Sequence, residues 1–514
     1  DPGARTAADC RRRGDGGAGA GAGGSLPPAR GHDALLAFGL GVASLAYEMY
    51  LLRLLPLRHE PLPFTFGAAL FGVLLWWSVG AALAATRLSL PVGRGLALLA
   101  VALLASVPVY LLYAPAPVDT VGGLVAFAVT RAPYFAPFLL QGFLFTRIAG
   151  RAARAWGADV GRVYAWNTLG CCVGTGATTL LGYALPVPLL LAGIVLGVTA
   201  LWVREASVAA GRPRAPWIPA GIAVAVGVLG LSTDTSRVSL VERTYAARDG
   251  LMEVDSDGNV AWDGLWHSRL SRDGDHVGTR NWLAATIPWL AHGGPRPGER
   301  LDVAVLGLSI GVTASTFARS PTVGRVVGYD INAGLARLFR DYPLGTLGVA
   351  TNPVVHIRWQ DARSGLALDA TRYDIVQSQP LYLRQAGSGL LNSLEMMRLV
   401  SARLAPGGVF CLYSNGTPEQ ALLLRATAAR VFAGRASFLD GYLLLLSNEP
   451  LALEANVRAR FAAADPLLDE VRRFPETTTA DAVLALRDGD LSWDAGPIVT
   501  TDDRPLVEYP RRLA

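Results

Sequence analysis

The sequence predicts a polytopic α-helical membrane domain of about seven spans, followed by a small β-domain and an α/β Rossmann-like domain. Seven apolar segments before Asp234 are each close to the ~20 residues with which a helix crosses a bilayer. Strand-like alternation follows from Arg237. Residues 301–330 then run as a buried strand, a glycine turn, a helix and a second strand that ends in Asp330. That order is typical of the nucleoside-binding half of a doubly wound sheet.

These patterns divide the chain into five parts. They are a disordered tail (1–31), a transmembrane helical domain (32–233), a small β-hairpin domain with the helix that follows it (234–296), a Rossmann-like domain (297–450), and a C-terminal helical extension and tail (451–514). The predicted spans are 33–54, 62–86, 95–114, 119–148, 163–184, 186–203 and 215–232. The first tail is rich in Gly, Ala, Pro and Arg without an apolar period, so we expect no fixed structure there.

Composition excludes several kinds of chemistry. A mean hydropathy of +0.34 over 514 residues is high for a water-soluble protein. All 46 basic residues are arginine, which excludes a Schiff-base lysine and a Walker-type phosphate loop. The four cysteines lack metal-ligand spacing, so we expect no metal site. The arginines flank apolar segments, which indicates membrane topology rather than binding of nucleic acid.

The placement of arginine predicts the orientation of the membrane domain. Arginines lie before the first span and after the second, fourth and sixth spans, whereas the loops on the other side hold only Arg53 and Arg58. The positive-inside rule places the N-terminus in the cytoplasm, and an odd number of spans places everything after Asp234 outside. The alternative is that one span does not cross, and the short pair around Pro186 and Pro188 is the weakest candidate.

Two features of the soluble part predict local structure and a ligand site. The pair Asp257-Gly258 predicts a hairpin turn. The glycine turn, GLSIG at 307–311, lacks the middle glycine of a three-glycine loop. Its glycines would let the backbone approach a nucleoside, and Asp330 would accept protons from ribose hydroxyls. The alternatives are a tight turn without a ligand and, for Asp330, an N-cap of a helix that starts after Asn332.

Several motifs resemble polyamine aminopropyltransferases of the spermidine synthase type, and more closely the bacterial membrane proteins in which such a domain follows a transporter-like helical bundle. The motifs are GRVYAWNTLG (161–170), DGDHVGTRNWL (273–283), VAVLGLSIGVTAS (303–315), VVGYDIN (326–332), QDAR (360–363), YDIVQSQP (373–380), LAPGGVF (404–410) and TDDRPLVEY (501–509). The resemblance implies a Rossmann-like domain of the S-adenosylmethionine-dependent transferase type. It also implies a multi-pass protein of the bacterial plasma (inner) membrane.

The resemblance implies a nucleoside cofactor, S-adenosylmethionine or its decarboxylated form. The residues implied to bind it are Gly307, Ser309, Gly311, Asp330, Asp361 and Ala362. The glycine turn would hold the aminopropyl or methionine end, and Asp330 the ribose. Asp361 and Ala362 would contact the adenine, with the carboxylate accepting from the exocyclic amine. The alternative for Asp361 is a loop carboxylate paired with Arg363.

The acceptor side departs from the family pattern. After the fourth strand the family has an aspartate that takes a proton from the attacking amine, whereas Gln379 stands at that position here. An amide is not a general base near neutral pH. The candidate catalytic residues are Gln379, Tyr382 and His276, and the candidate substrate-binding residues are His267, Asp275 and Arg280. His276 is either a replacement base or an exposed loop histidine. The residues that would line the amine pocket favour an anionic or neutral acceptor over a diamine, and they are His267, His276, Arg280, Tyr382 and Arg384.

Two functions follow from these expectations. The first is a membrane-anchored alkyl transferase that moves an aminopropyl or methyl group by in-line displacement, with polyamine synthesis itself disfavoured. The second is a catalytically degenerate Rossmann-like domain that acts as a ligand-binding or assembly module, and transport is a weaker third option. The expected partners are the lipid bilayer, a small-molecule nucleoside, and a second copy of the chain or another membrane protein, but no nucleic acid.

Overall fold

A computed structural model provides the structure of the chain. It describes residues 30–59, 63–86, 88–112, 121–155, 157–182, 187–210, 241–247, 250–262, 265–271, 279–379, 382, 383, 385, 387–414, 416–472, 474–489, 491–494 and 498–508. The predicted tail up to residue 29 and the predicted seventh span at 215–232 lie outside the described residues.

The N-terminal part consists of helices. They are α1 (Arg30–His59), α2 (Pro63–Ala84), α3 (Val92–Leu112), α4 (Val121–Thr130), α5 (Ala132–Ala155), α6 (Gly157–Gly182) and α7 (Val187–Ala210).

The predicted number of seven membrane spans is wrong for the part of the chain that the structure describes. Three helices there are long and apolar enough to cross a membrane, at Gly31–Leu52, Phe64–Ala84 and Leu189–Val208. The apolar part of α3 is shorter, at Val92–Ser106. The predicted span 119–148 is two helices, because Pro133 has no N–H with which to continue the hydrogen bonding of α4. Helices α5 and α6 also contain charged residues that lower their apolar character.

Helices α1 and α6 pack with their backbones in close contact. A Cβ atom added at Gly170 or Gly174 of α6 would lie less than 3.0 Å from a backbone carbonyl oxygen of α1. The side-chain amide of Asn167 donates to the carbonyl oxygen of Ala37 at 3.0 Å. Small residues that allow close approach, with a polar side chain bonded across the interface, are typical of helix pairs in membranes. The segment at 161–170 that contributes to the family resemblance thus forms much of this contact.

A buried ionic cluster joins three helix ends. His32 Nε2 lies 2.5 Å from Glu205 Oε2, and Arg151 pairs with both Asp33 and Glu205, in the latter case at 3.1 Å. His32 and Asp33 lie in the first turn of α1, whereas Arg151 and Glu205 lie near the ends of α5 and α7. The start of α1 and the end of α7 therefore lie on the same side of the bundle. The side taken by the soluble domain then depends on the segment 211–240, which is outside the described residues.

The small β-domain is an antiparallel sheet. Its four strands, paired in chain order, are β1 (Val241–Ala247), β2 (Gly250–Asp255), β3 (Asn259–Trp262) and β4 (Leu265–Arg269). The expected hairpin turn joins β2 to β3, and Gly258 has a φ of 80°. Asp255 Oδ1 accepts the N–H groups of Asp257 and Asn259 at 2.9 and 2.8 Å. One carboxylate and one left-handed glycine therefore fix the register of this hairpin.

A second sheet of seven strands has the order β10-β11-β9-β8-β5-β6-β7. Its strands are β5 (Leu301–Leu306), β6 (Val323–Asp330), β7 (Val355–Trp359), β8 (Tyr373–Ser378), β9 (Leu404–Tyr413), β10 (Gly434–Phe438) and β11 (Leu443–Ser447). Strands β5 to β9 are parallel, and β10 with β11 forms an antiparallel hairpin at one edge. The chain proceeds outward from β5 in both directions, so the topological switch point lies between β5 and β8. This topology confirms the predicted Rossmann-like fold.

Helices cover both faces of this sheet. They are α8 (Thr279–His292), α9 (Val312–Phe317), α10 (Leu335–Asp341), α11 (Ala362–Leu368), α12 (Gly389–Asn392), α13 (Leu394–Arg403), α14 (Pro418–Ala429), α15 (Leu453–Ala462), α16 (Pro466–Val471) and α17 (Ala480–Ala485). One face packs on α8 through Trp289, and the same core contains Met252 and Val254 of the small sheet. The other face packs on α13 and α14 through Met396 and Leu424. The small sheet is thus continuous with the core of the Rossmann-like domain.

We expect Gly174→Ala to weaken the packing of α1 on α6. The new methyl group would meet the backbone of α1 at less than 3.0 Å, and backbone atoms cannot move aside as a flexible side chain can. Gly176→Ala is the matched control, because nothing lies within 4 Å of a Cβ atom there. Thermal unfolding of the full chain in detergent should show a lower midpoint for Gly174→Ala alone. Equal midpoints for both variants would contradict the proposed role of Gly174.

Candidate functional site

The glycine turn after β5 has a left-handed backbone at three positions. Gly307, Ser309 and Gly311 have φ values of 88°, 49° and 84°. A Cβ atom at Gly307 would lie 2.8 Å from the carbonyl oxygen of Gln379. One at Gly311 would lie 2.6 Å from Val349 Cγ1, so both positions require glycine for space as well as for conformation. Ser309 takes the place of the absent middle glycine and adopts the same conformation at a cost of ~1–2 kcal/mol.

The carboxylate of Asp330 binds the backbone of this turn. Its Oδ2 accepts the N–H groups of Leu308 at 2.8 Å and Ser309 at 3.3 Å, and its Oδ1 accepts that of Asn332 at 2.8 Å. The residue is 6% exposed at the end of β6. The alternative role as an N-cap is wrong, because Gly334 is the N-cap residue of α10. A carboxylate has about four acceptor sites, so the turn already uses most of them.

Asp361 caps a helix. Its Oδ2 accepts an N–H group of the first turn of α11 at 2.7 Å, and Ala362 is the first residue of that helix. The alternative pair with Arg363 is wrong, because Arg363 binds Asp502 through two hydrogen bonds of 2.7 and 2.6 Å. Since β6 and β7 are parallel neighbours, Asp361 lies at the same edge of the sheet as Asp330.

Gln379 follows β8 and contacts the glycine turn across the switch point. Its backbone N–H donates to Leu306 at 3.0 Å, and its Oε1 accepts from the hydroxyl of Thr313 at 3.1 Å. Its Nε2 is buried and has no hydrogen-bond partner among the described residues. Gln377, which is fully buried, has both side-chain amide atoms without a partner in the same described part. Uncharged amides therefore stand where the resemblance implies a carboxylate.

His267 and Tyr382, both predicted on the acceptor side, lie next to each other. Their ring centroids are 5.8 Å apart. The hydroxyl of Tyr382 donates to the carbonyl oxygen of Trp266 at 2.5 Å, which joins the segment after β8 to β4 of the small sheet. Burial lowers the pKa of His267 to about 4, so the ring is neutral at neutral pH. Its Nε2 is enclosed and has no hydrogen-bond partner among the described residues.

The structure does not place the other predicted acceptor residues. His276 and Asp275 lie outside the described residues. Arg280 lies in the first turn of α8, but its side chain is outside the description. Their roles stay predictions.

A further set of contacts escaped the sequence analysis. Residues 500–508, which we name the C-terminal strap, lie against the Rossmann-like domain: Asp502 pairs with Arg363, and Glu508 Oε1 accepts the N–H groups of Gly387 and Gly389 at 3.0 and 2.7 Å. The partners are separated by 139 and 121 or 119 positions along the chain. The acidic residues of the C-terminal tail were the only sign of these contacts in the sequence. The neighbouring residues do not show which groups these acids bind.

A cleft of about 370 Å³ lies elsewhere, between the β2–β3 turn and the segment after α10. Its walls include Asp255, Gly258, Leu270, Ser271, Tyr342 and Gly345. The N–H group of Ser271 donates to the carbonyl oxygen of Gly345 at 3.0 Å, so this cleft marks a seam between the small sheet and the Rossmann-like domain. The residues predicted to bind a ligand are not part of its walls.

The residues at the switch point suit a nucleoside such as S-adenosylmethionine. Gly307 allows the backbone of Gln379 to approach closely, Asp330 provides a carboxylate, and Gln379 provides an enclosed amide donor without a partner among the described residues. A buried donor without an acceptor costs ~1–3 kcal/mol, and a ligand that accepts from Nε2 would recover that cost.

No family model matches the chain, and no curated protein matches it. Similar solved structures include a spermidine synthase in complex with the transition state analogue AdoDATO (TM-score 0.38, 13% identity, 49% of this chain and 85% of that chain). A probable spermidine synthase from Corynebacterium glutamicum ATCC 13032 has a TM-score of 0.35 and 19% identity over 50% of this chain and 100% of that chain. Human Methyltransferase-like protein 13 in complex with SAH has a TM-score of 0.27 and 16% identity over 43% of this chain and 94% of that chain. At these values the likeness is distant, and the Rossmann-like fold rests on the order of the strands.

We expect Gly307→Ala to destabilise the domain far more than Gly298→Ala. Both glycines have positive φ, 88° and 82°, but only the first would place its methyl group against Gln379, whereas nothing lies within 4 Å at Gly298. The backbone strain of ~1–2 kcal/mol is common to both variants, so the difference reports the close approach. Denaturant unfolding of the full chain measures it. Equal losses of unfolding free energy would show that β5 and β8 do not depend on this contact.

We also expect His267 to make the protein sensitive to acid. Its pKa of about 4 in the folded state lies below the ordinary value of 6.5, so its contribution to stability is present above pH 6.5 and is lost as the pH falls towards 4. His267→Asn should lose less unfolding free energy than the wild type over that interval. His356→Asn, on an exposed residue of β7, is the control and should follow the wild type. Parallel pH profiles for all three proteins would contradict the burial of His267.

Proposed function

We propose that this chain is a membrane-anchored, spermidine synthase-like alkyl transferase that uses S-adenosylmethionine or its decarboxylated form. The observation that carries the proposal is the glycine turn at the switch point, with Asp330 fixed at the end of the next strand. In open α/β sheets, nucleosides bind at this place. The glycine turn would hold the amino acid or aminopropyl end and Asp330 the ribose, with Asp361 and Ala362 beside the adenine.

The proposed reaction is an in-line displacement, and the chain's own contribution is positioning. A bound cofactor would supply an alkyl group on a sulfonium, whose C–S bond breaks as the acceptor's bond to the carbon forms, so that a neutral thioether leaves. Gln379 Nε2 is an enclosed donor that would orient a bound group, and Thr313 fixes its amide through a bond of 3.1 Å. Neutral His267 and Tyr382 would form the acceptor side. Orientation alone accelerates such reactions considerably, which is consistent with an uncharged amide at position 379.

The acceptor that suits these groups is neutral or anionic. Gln377, Gln379 and His267 carry no charge at neutral pH, so a diamine would lack the carboxylates that bind its ammonium groups. Each such charge-assisted hydrogen bond contributes ~1.5–3 kcal/mol. Polyamine synthesis is therefore the less favoured form of the activity.

The second candidate is a degenerate Rossmann-like module that binds a ligand or assembles with a membrane partner, such as a second copy of the chain. One observation favours it. The N–H groups of Leu308, Ser309 and Asn332 already occupy most of the acceptor capacity of Asp330. Under this candidate, Asp330 serves the fold alone and a nucleoside does not bind.

Thermal protection by methylthioadenosine or S-adenosylmethionine distinguishes the two candidates. A ligand at about 100 times its Kd stabilises by ~2.7 kcal/mol, which raises the midpoint of a domain of this size by roughly 5–10 °C. We expect protection of the wild type, and Asp440→Asn, on an exposed residue, should keep it. A wild type without protection would favour the degenerate module.

Gln379→Glu tests the chemistry separately. If the site descends from an aminopropyltransferase, a carboxylate at this position supplies the absent base, and transfer from decarboxylated S-adenosylmethionine to putrescine should rise above the wild-type level. If the variant is still protected by methylthioadenosine but gains no transfer, the result would argue against aminopropyl transfer. Methyl transfer would then be the activity to test.

A further inference from the structure

The C-terminal strap contacts the adenine side of the proposed site. Asp502 accepts two hydrogen bonds from Arg363, at 2.7 and 2.6 Å. This bidentate geometry makes arginine–carboxylate pairs strong. Arg363 directly follows Asp361 and Ala362, and it also donates to the carbonyl oxygen of Leu390 at 3.2 Å. One guanidinium thus joins the strap, the start of α11 and helix α12.

The strap also holds the segment on the acceptor side. Glu508 Oε1 accepts from both Gly387 and Gly389, and the residue is only 7% exposed. Between that point and the site, the hydroxyl of Ser388 donates to the carbonyl oxygen of Leu383 at 2.6 Å. Leu383 is the neighbour of Tyr382, whose hydroxyl reaches Trp266 of the small sheet. Three sets of hydrogen bonds, joined by covalently adjacent residues, therefore connect Glu508 to the acceptor side.

The strap is seated by its own buried contacts. Val507 is fully buried in the core on the second face of the sheet. Its carbonyl oxygen accepts from Gln420 Nε2 at 2.6 Å, and the carbonyl oxygen of Thr500 accepts from the N–H of Leu394 at 2.9 Å. The two acids thus act from a fixed segment rather than from a free end of the chain.

We propose that Asp502 and Glu508 are positioning residues for the nucleoside site, and that the strap must be seated for the site to bind its ligand. This inference rests on the proposed function. The strap bridges the two segments that would contact the adenine and the acceptor, and neither acid lies among the residues that would touch the ligand. Releasing either bridge frees one wall of the site while the parallel sheet stays intact.

The two bridges differ in chemistry. The Arg363 guanidinium lowers the pKa of Asp502 below its ordinary value of 3.8, so this pair is charged at neutral pH. Burial raises the pKa of Glu508, against the two N–H groups that lower it. An uncharged amide oxygen at position 508 accepts from the same two N–H groups without the cost of a buried charge. Glu508→Gln should therefore preserve the bridge that Glu508→Ala removes.

Binding of methylthioadenosine to the full chain in detergent, measured by titration calorimetry, tests the proposal. We expect Glu508→Ala and Asp502→Ala each to raise Kd by about tenfold or more, as the loss of hydrogen bonds to a charged group implies. Glu508→Gln should stay near the wild-type Kd. Asp503→Ala, on the exposed neighbouring aspartate, is the matched control and should also leave Kd unchanged. Asp502→Asn, which removes the charge but keeps the shape, replaces the alanine variant if that variant does not fold.

Trypsin gives a second readout that does not depend on a ligand. The segment between Gln379 and Gly389 contains one arginine, Arg384, and the chain has no lysine. Faster cleavage after Arg384 in Glu508→Ala, but not in Glu508→Gln, is the expected result. If Glu508→Ala is cleaved faster but keeps the wild-type Kd, the positioning role is overturned and the proposed function is not. The same holds if neither its cleavage nor its Kd changes. A wild type that does not bind methylthioadenosine would overturn the proposed function and this inference with it.

Discussion

The soluble domain depends on the hydrogen bonds that the carboxylate of Asp330 accepts from the backbone. This carboxylate accepts the N–H groups of Leu308 and Ser309 after β5 and of Asn332 after β6, so it joins two neighbouring strands next to the switch point between β5 and β8. Without it, the buried N–H groups of Leu308 and Asn332 would each cost ~1–3 kcal/mol, and the part-buried N–H of Ser309 would also lose its acceptor. The fold therefore needs this carboxylate whether or not a nucleoside binds. The enclosed Nε2 atoms of Gln379 and His267, which have no partner among the described residues, add evidence for a ligand that the needs of the fold do not explain.

Local signals predicted the parts of the fold whose residues are close in sequence. The β5–β6 unit and the hairpin at Asp257-Gly258 each lie within a short stretch, and glycine conformation decides both. The pairing of Arg363 could not be predicted, because its nearest acid in sequence, Asp361, is taken up by a helix cap and the partner is 139 positions away. The break between α4 and α5 lies at Pro133, where the apolar composition on both sides predicted one continuous span.

Hydropathy and packing describe the helical bundle differently. Helix α6 is outside the candidate spans among the described residues, yet it has the closest backbone contacts to α1, through Gly170 and Gly174. A helix that buries glycines against another backbone needs less apolar surface to be held in place. The ionic cluster around Arg151 and Glu205 adds a second constraint, since paired charges favour the end of a bundle over its apolar middle. Packing thus shows which helix ends lie on the same side of the bundle, which hydropathy alone does not show.

Under the proposed function, the acceptor side would show how a transferase can change its substrate without changing its frame. The side chain of Gln379 accepts a hydrogen bond from Thr313, and its backbone lies against Gly307, so an amide at this position fits the sheet. What changes is the charge that an acceptor meets, because an amide and a neutral His267 attract no ammonium group. Since a sulfonium needs no further activation, loss of a base removes a preference for amines before it removes the capacity for transfer. Under the proposed function, the acceptor could therefore differ from a diamine while alkyl transfer is retained.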